Sequence, residues 1–178
     1  MSRTLRTDPY PLRAARRSAG HRVEIRVCRP RPGFHHPASA ADVARLLEFF
    51  GPTARYGLRR VELRQQAATT GIALGGYVPP GVVVLLEQPD PPWFVAGRLS
   101  DGAAERLRRT GARVTATWST TRVDWDGPAL RDFVLFDGLM HEIGHHLLDH
   151  TDRRMRTADH ERRADAHAVR CRQRWAAR

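Results

Sequence analysis

The chain has 178 residues, of which 41% are hydrophobic, and these values fit one folded domain with a modest core rather than two domains. The formal net charge is +11, yet all 30 basic residues are arginine, and lysine and asparagine are absent. This skew indicates a GC-rich coding bias rather than selection for a phosphate-binding surface, so the charge by itself does not predict nucleic-acid binding.

The first part of the chain predicts an arm, a strand and a helix. Residues 1–21 are rich in arginine and proline and predict a mobile basic arm, whereas residues 22–178 predict a single domain. Apolar residues alternate with polar ones over residues 22–28, which predicts a strand. A proline-rich loop over residues 29–37 then leads to a helix that begins near Ser39 and ends at the next Gly-Pro pair.

The middle of the chain predicts short strands and one more helix. Residues 61–63 predict a short strand, and the continuous apolar run from Val82 to Leu86 predicts a buried one. The Val82–Leu86 strand is either an edge strand that pairs with an extended peptide or an internal core strand, and the sequence leaves both open. A short helix is predicted over residues 100–110, followed by a strand over residues 114–118.

Two helices are predicted in the last third of the chain. Pro128 is suited to the first turn of a helix whose apolar stripe continues to Leu147. A break over residues 151–158 precedes a second helix, which begins near Asp159. The elements together predict an α+β fold.

Membrane and disulfide features are not expected. Cys28 and Cys171 lie far apart and outside any C-x-x-C spacing, so neither a disulfide framework nor a cysteine zinc site is predicted. The sequence contains no apolar run of about 18 residues, so neither a membrane span nor a signal peptide is predicted. We therefore expect a cytoplasmic, reducing location.

The feature with the clearest chemical meaning is an H-E-x-x-H motif, formed by His141, Glu142 and His145 within the first of the two predicted C-terminal helices. Two histidines four residues apart lie on one helical face, so both imidazoles can bind one Zn²⁺ ion. The glutamate between them is the base for a metal-activated water. A random chain of this length and composition would contain the triplet with a probability of about 0.02, so a second element is needed.

That second element lies on the next predicted helix, where Glu161 and Asp165 are four residues apart. Fifteen residues separate Glu161 from His145. The combination resembles the gluzincin metallopeptidases, in which H-E-x-x-H is followed on a second helix by E-x-x-(A/S)-(D/N). The resemblance covers residues 128–172 well and the preceding region only in the order of its elements.

The resemblance implies a role for each residue of the two motifs. His141, His145 and Glu161 would bind zinc, and Glu142 would be the general base. Asp165 would hydrogen-bond a ligand histidine and fix its tautomer.

Within this group, the compact motif and the short inter-helix loop are most similar to the minimal gluzincins of the ImmA/IrrE type. Arg163 and His167 depart from the commoner E-x-E-A-(N/D)-x-F-A form of the second helix there. The metzincin pattern is excluded because Leu148 and Thr151 occupy its glycine and last histidine positions.

Other residues near the motifs are open to alternative interpretations. His160 is adjacent to Glu161 and could replace it as the third ligand. His146 and His150 form another pair four residues apart, which suits either a polar helix face or a transition-state helper at His146. Gly144 lowers helix propensity, and the close approach of a neighbouring backbone would explain its presence.

The resemblance also implies the architecture and the activity. The expected fold is zincin-like, with a small, twisted, mostly antiparallel sheet packed on the active-site helix and on the C-terminal glutamate helix. The expected activity is that of a zinc metallopeptidase, a hydrolase that cleaves a specific intracellular protein or peptide. The alternative is an arginine-rich protein, nucleic-acid-associated or regulatory, with a structural or non-proteolytic zinc site. The sequence makes no prediction about oligomeric state.

Overall fold

A computed structural model describes residues 22–66, 72–151 and 157–178, so the predicted basic arm over residues 1–21 lies outside the described residues. The fold contains a four-stranded sheet, two smaller sheets and several helices, and the predicted α+β class is confirmed. Within the described ranges, no helix is both long enough and apolar enough to cross a membrane.

The bounds of the elements follow the predicted order. The strands are β1 (Glu24–Val27), β2 (Phe34–His35), β3 (Arg60–Arg64), β4 (Gly75–Val78), β5 (Val82–Leu86), β6 (Gln88–Pro89), β7 (Trp93–Ala96), β8 (Arg113–Ala116) and β9 (Thr120–Asp124). The helices are α1 (Ala40–Arg55), α2 (Asp101–Arg109), α3 (Gly127–Phe133), α4 (His141–Thr151) and α5 (Thr157–Ala176). A π-helix over Val134–Met140 joins α3 to α4 without a break.

Helix α1 begins as predicted and ends one turn later than predicted. The Ser39 hydroxyl accepts a hydrogen bond from the Asp42 N–H at 3.1 Å, and the Asp42 carboxylate accepts one from the Ser39 N–H at 3.0 Å. Gly51 adopts φ 68° and ψ −151°, a left-handed backbone that kinks the helix. The predicted Gly-Pro stop is therefore a kink, after which a last turn runs to Arg55.

The main sheet has the strand order β1-β3-β5-β4. The pairs β1/β3 and β3/β5 are parallel, and only β4/β5 is antiparallel. The prediction of a mostly antiparallel sheet is therefore wrong for this sheet, because α1 carries the chain back between β1 and β3 and makes them parallel. The smaller sheets, β7-β9-β8 and β2-β6, are antiparallel.

Strand β5 is internal, lying between β3 and β4, so the edge-strand interpretation of Val82–Leu86 is wrong. The edge strand on this side of the sheet is β4, which precedes β5 in the chain and is joined to it by a short turn as an antiparallel pair. Sequence patterning missed this edge because β4 carries two glycines and no alternating apolar residues.

The core lies between the main sheet and the helices. The register places Val61 and Leu63 of β3 and Val83 and Leu85 of β5 on one face of the sheet. There they join one apolar cluster with α1 and with the long helix formed by α3, the π-helix and α4. Its members with no more than 1% exposure include Leu46, Val61, Leu63, Val83, Leu85, Leu139 and Ile143. The burial of this face fixes the long helix against the sheet.

The long helix that carries the motif is capped at its N-terminus by Asp126, whose carboxylate accepts a hydrogen bond from the Ala129 N–H at 2.6 Å. Pro128 occupies its first turn, as predicted. The π-helical stretch ends immediately before His141. π-Helical turns are rare in proteins, and those that occur are often found at functional sites. The position of this one agrees with a functional site at the motif.

Candidate metal centre

Helices α4 and α5 approach each other closely at Gly144. A Cβ atom at Gly144 would lie 3.0 Å from the Ala164 Cα and 3.3 Å from the His167 Cβ. The predicted close approach of a neighbouring backbone is therefore confirmed. It brings the motif face of α4 against the face of α5 that carries Glu161.

Three donor groups meet across this helix pair. The Nε2 atoms of His141 and His145 are 3.1 Å apart. The Glu161 carboxylate faces both of them, with Oε2 3.4 Å from His141 Nε2 and Oε1 3.3 Å from His145 Nε2. The three residues predicted as ligands thus surround one point.

The size of this triangle suits a metal ion. Ligand atoms placed about 2.0–2.1 Å from a tetrahedral ion lie about 3.3 Å from one another. The observed separations of 3.1–3.4 Å bracket that value. Two imidazoles and one carboxylate also form a donor set used in catalytic zinc sites. The Glu161 side chain is 56% exposed, which leaves this side of the centre open to solvent.

Asp165 lies behind His141, where the resemblance implies a supporting residue. Its Oδ1 atom is 3.0 Å from His141 Nδ1. The contact is an ion-pair distance rather than a hydrogen bond, and among the described residues the buried Nδ1 has no hydrogen-bond partner. A carboxylate at this distance favours the proton on Nδ1 and leaves the His141 Nε2 lone pair facing the centre.

The motif glutamate is half-buried against the edge of the sheet. Burial raises the pKa of Glu142; the charge of His141 opposes this rise, that of Glu161 adds to it, and a backbone hydrogen bond from the Tyr77 N–H opposes it. Burial also lowers the pKa of His145, although Glu161 acts in the opposite direction. A neutral imidazole is the form that binds a metal, and a carboxylate of raised pKa accepts a proton more readily.

The edge of strand β4 that faces away from β5 lies beside Glu142. The Leu86 N–H donates to the Leu74 carbonyl at 2.8 Å, so the alternation of an antiparallel pair directs the backbone groups of Gly75 and Tyr77 away from β5. The Tyr77 N–H is the group that reaches Glu142. The general-base candidate therefore lies at an edge strand with outward-facing backbone.

A cavity of about 360 Å³ opens against His141 and Glu142. Its walls come from the start of β4, from α2 and from the helix before the motif. At its polar end lies Arg106, whose Nε donates to Asp137 Oδ1 at 3.0 Å. The cavity joins the candidate metal centre to a mainly apolar surface.

His146 does not have the predicted role of a transition-state helper. Its side chain is fully buried, and its Nε2–H donates to the Tyr56 carbonyl at 2.8 Å. The Tyr77 and His150 rings pack against it at centroid distances of 5.2 and 4.7 Å. A transition-state helper must be open to substrate, and this side chain is not. His146 instead connects α4 to the end of α1.

His160 does not replace Glu161 as the third donor. Its ring stacks near His145 at a centroid distance of 6.4 Å. In the described part of the chain, the group that could hold a metal ion consists of His141, His145 and Glu161. Of the two adjacent candidates, Glu161 is the one that faces both imidazoles.

Two residues of this region escaped sequence analysis. Tyr77 acts through its backbone, so its side chain gave no signal beyond the Gly-Gly pair that precedes it. Arg106 is one of 30 arginines, and nothing in its local sequence distinguishes it from the others.

Comparisons with protein-family models, with curated proteins and with solved structures found no match for this chain. The geometry of the centre and the chemistry of its side chains therefore carry the functional argument.

Proposed function

We propose that the protein is a zinc-dependent metallopeptidase of the gluzincin type, which hydrolyses peptide bonds in a specific intracellular protein or peptide. The observation that carries this proposal is the convergence of His141, His145 and Glu161, with separations of 3.1–3.4 Å, beside the half-buried carboxylate of Glu142. The edge strand β4 next to the motif helix further supports a zincin-like fold.

The chemistry follows from the residues around the centre. When bound there, zinc supplies Lewis acidity that lowers the pKa of a coordinated water to about 7. Glu142 takes the proton of the attacking water and later delivers it to the leaving amine. Asp165, with Oδ1 3.0 Å from His141 Nδ1, favours the tautomer of His141 that carries its proton on Nδ1.

Strand β4 gives the substrate its alignment. An extended peptide that pairs with the outward backbone groups of Gly75 adds a strand to the main sheet. Because the Tyr77 N–H also holds Glu142, a peptide on this edge lies next to the general base. Pairing of this kind binds the main chain of the substrate and aligns it with the centre, whatever side chains it carries.

The metal set is tested by zinc analysis of the purified protein. We expect stoichiometric zinc in the parent, and loss of zinc in His145→Ala and in Glu161→Ala. His160→Ala is the matched control, since its ring lies beside His145 but outside the donor group. Retention of zinc by Glu161→Ala together with loss in His160→Ala would move the third ligand to His160.

The hydrolytic role is tested with quenched fluorescent peptides. Glu142→Gln should keep zinc but slow hydrolysis by about 10²–10⁴-fold, the usual contribution of a general base. A chelator should abolish hydrolysis by the parent. Activity that survives both changes would contradict the proposal.

The arginine-rich, nucleic-acid-associated alternative has a different signature. Several arginines on the strands form ion pairs with carboxylates: Arg60 and Arg64 both contact Glu62, and Arg122 contacts Asp124. These pairs reduce the positive charge that the strands offer to a nucleic acid. A salt-sensitive DNA shift that is unaffected by Glu142→Gln, combined with absent hydrolysis, would favour this alternative.

A further inference from the structure

We propose that two copies of this chain pair along their β1 strands, antiparallel and about a twofold axis, so that their two four-stranded main sheets join into one continuous sheet. The surface is the β1 edge of the main sheet, at the other end of the strand order from the candidate metal centre. The partner is a second copy of the same chain, and the pairing does not depend on the proposed function.

Strand β1 has an outer side with backbone groups left to bond. It is the first strand in the order β1-β3-β5-β4, and no described strand pairs with its outer side. The N–H groups of Glu24 and Cys28 donate to carbonyls on the β3 side at 3.2 and 2.9 Å. Backbone groups alternate along a strand, so those of Ile25 and Val27 face away from β3. Groups of this kind are a template for a further strand.

The charges of β1 are complementary to themselves in one antiparallel register. Because bonded residues must both face outward, Ile25 can lie opposite Ile25 of the second copy. This register places Glu24 of each copy opposite Arg26 of the other. The two neighbouring registers place Glu24 opposite Glu24 or Arg26 opposite Arg26, and like charges in that position are destabilising. Charge therefore selects the register centred on Ile25.

Both charged side chains are exposed where a second copy can reach them. Glu24 is 50% and Arg26 57% exposed, and within one strand they pair with each other at 2.7 Å. In the selected register they form a non-hydrogen-bonded pair, the type in which side chains of an antiparallel ladder lie closer together. The ion pair within each strand therefore extends across the twofold axis.

The apolar residues of β1 lie on the opposite face, beside a groove. Ile25 packs against the core and Val23 is buried, whereas Val27 is 54% exposed. In the selected register, Val27 of the second copy lies opposite Val23. A cavity of about 810 Å³ opens there between β1 and α1, and exposed Ala41 and Ala44 line its helix side. The pairing thus covers an apolar side chain that a single copy leaves in water.

Pairing along β1 does not cover the β4 edge. The two strands lie at opposite ends of the strand order, and β4 is the one beside Glu142. The dimer therefore holds the two candidate metal centres at its outer ends. Zinc content should be the same in the dimer and in variants that stay monomeric.

The test measures the dimer dissociation constant of the full chain by sedimentation equilibrium at low ionic strength. The parent should be dimeric at high protein concentration and should dissociate on dilution. Glu24→Arg and Arg26→Glu each turn the cross-strand ion pairs into like-charge pairs, so each should weaken the dimer at least about tenfold. Both side chains are exposed, so each change leaves the core intact. The variant that carries both changes should regain most of the affinity.

The two single variants should also bind each other. In a mixed dimer, the strand with two positive charges lies opposite the strand with two negative ones, so the ion pairs return. Native mass spectrometry of the equimolar mixture identifies this dimer by its mass. Val27→Lys should weaken the parent dimer at least about tenfold, because it places a charge in the apolar row. Glu105→Arg is the matched control, since it makes the same charge change on the exposed face of α2.

The outcomes decide this proposal separately from hydrolysis. Weak self-association of both single variants, together with a mixed dimer, supports it whether or not the zinc-loaded protein cleaves peptides. A parent that stays monomeric at every concentration overturns it and leaves the β1 edge to another occupant, such as residues 1–21. A dimer that is equally stable in every variant also overturns it, because its interface then lies elsewhere, and so does a mixture that forms no mixed dimer.

Discussion

At the scale of single residues, the half-buried imidazole of His167 is expected to make the protein sensitive to acid. Burial in α5 lowers its pKa to about 4, and the charges of Arg170 and His141 act in the same direction. Its ordinary pKa is about 6.5, so the unfolded chain binds a proton in a pH range where the folded chain does not. Folding therefore keeps this ring neutral.

We predict that His167→Leu makes the protein less sensitive to acid. For a group whose folded pKa is depressed, stability is full above the unfolded pKa and falls as the pH drops from about 6.5 to about 4, at up to about 1.4 kcal/mol per pH unit. The variant should lack this part of the decline. Urea unfolding of both proteins across this range, with a chelator present, measures the difference, and parallel curves would refute the prediction.

The residues of the centre differ in how far they could be predicted. His141, Glu142 and His145 share one helix, whose geometry fixes their relation from spacing alone. The prediction of Glu161 as a candidate ligand required one further assumption, that the next helix packs beside the one that carries the motif. Arg106 could not be predicted, because its place depends on how α2 packs against a helix that follows much later in the chain.

At the scale of elements, the packing of α4 on α5 sets the distance between the imidazoles and the Glu161 carboxylate. Gly144 permits this packing, since a Cβ there would press on the Ala164 backbone at 3.0 Å. Gly102, on α2, has no such neighbour within 4 Å. Substitution of Gly102 by alanine therefore changes helix propensity alone, whereas the same substitution at Gly144 changes both helix propensity and the packing of α4 on α5.

We predict opposite effects for alanine at these two positions. Gly102→Ala should stabilise the protein by up to about 1 kcal/mol through helix propensity. Gly144→Ala gains the same propensity but overpacks the interface, at a cost of about 1–3 kcal/mol, so it should be destabilising and should weaken zinc binding. Urea unfolding and competition with a zinc chelator measure both effects, and equal stabilisation by the two changes would refute the packing argument.

The elements themselves were predicted where local patterns dominate. Capping residues and apolar stripes gave α1, α2 and the long helix, and apolar runs gave β1, β3 and β5. The parallel order of the main sheet and the edge position of β4 depend on contacts between distant segments, which local patterns do not encode. The π-helical stretch likewise left no local signature.

At the scale of the whole molecule, the centre joins two helices that only the folded chain brings together. The three candidate ligands belong to α4 and α5, and β4 lies beside them on the sheet side. A metal ion that binds this arrangement binds the folded state in preference to the unfolded chain. Metal binding and global stability are therefore linked.

We predict that zinc raises the free energy of unfolding of the parent. With free zinc held at 100 times the dissociation constant, the increase should be about 2.7 kcal/mol. His145→Ala should show little of this increase at the same free zinc, because one donor is missing. Urea unfolding in metal-buffered and chelator-containing solutions provides the measurement, and an equal increase in the variant would place the bound zinc elsewhere.

The positions of the donors along the chain have a consequence for the order of assembly. His141, His145 and Glu161 lie within 21 consecutive residues, whereas Glu24 must find Arg60 to start the main sheet. Short loops close at a lower entropic cost than long ones, so we expect the helical pair to form before the parallel strands. On the proposed function, a nascent chain would therefore complete its cation site before the sheet edge that aligns a peptide, and hydrolysis would have to wait for the last stage of folding.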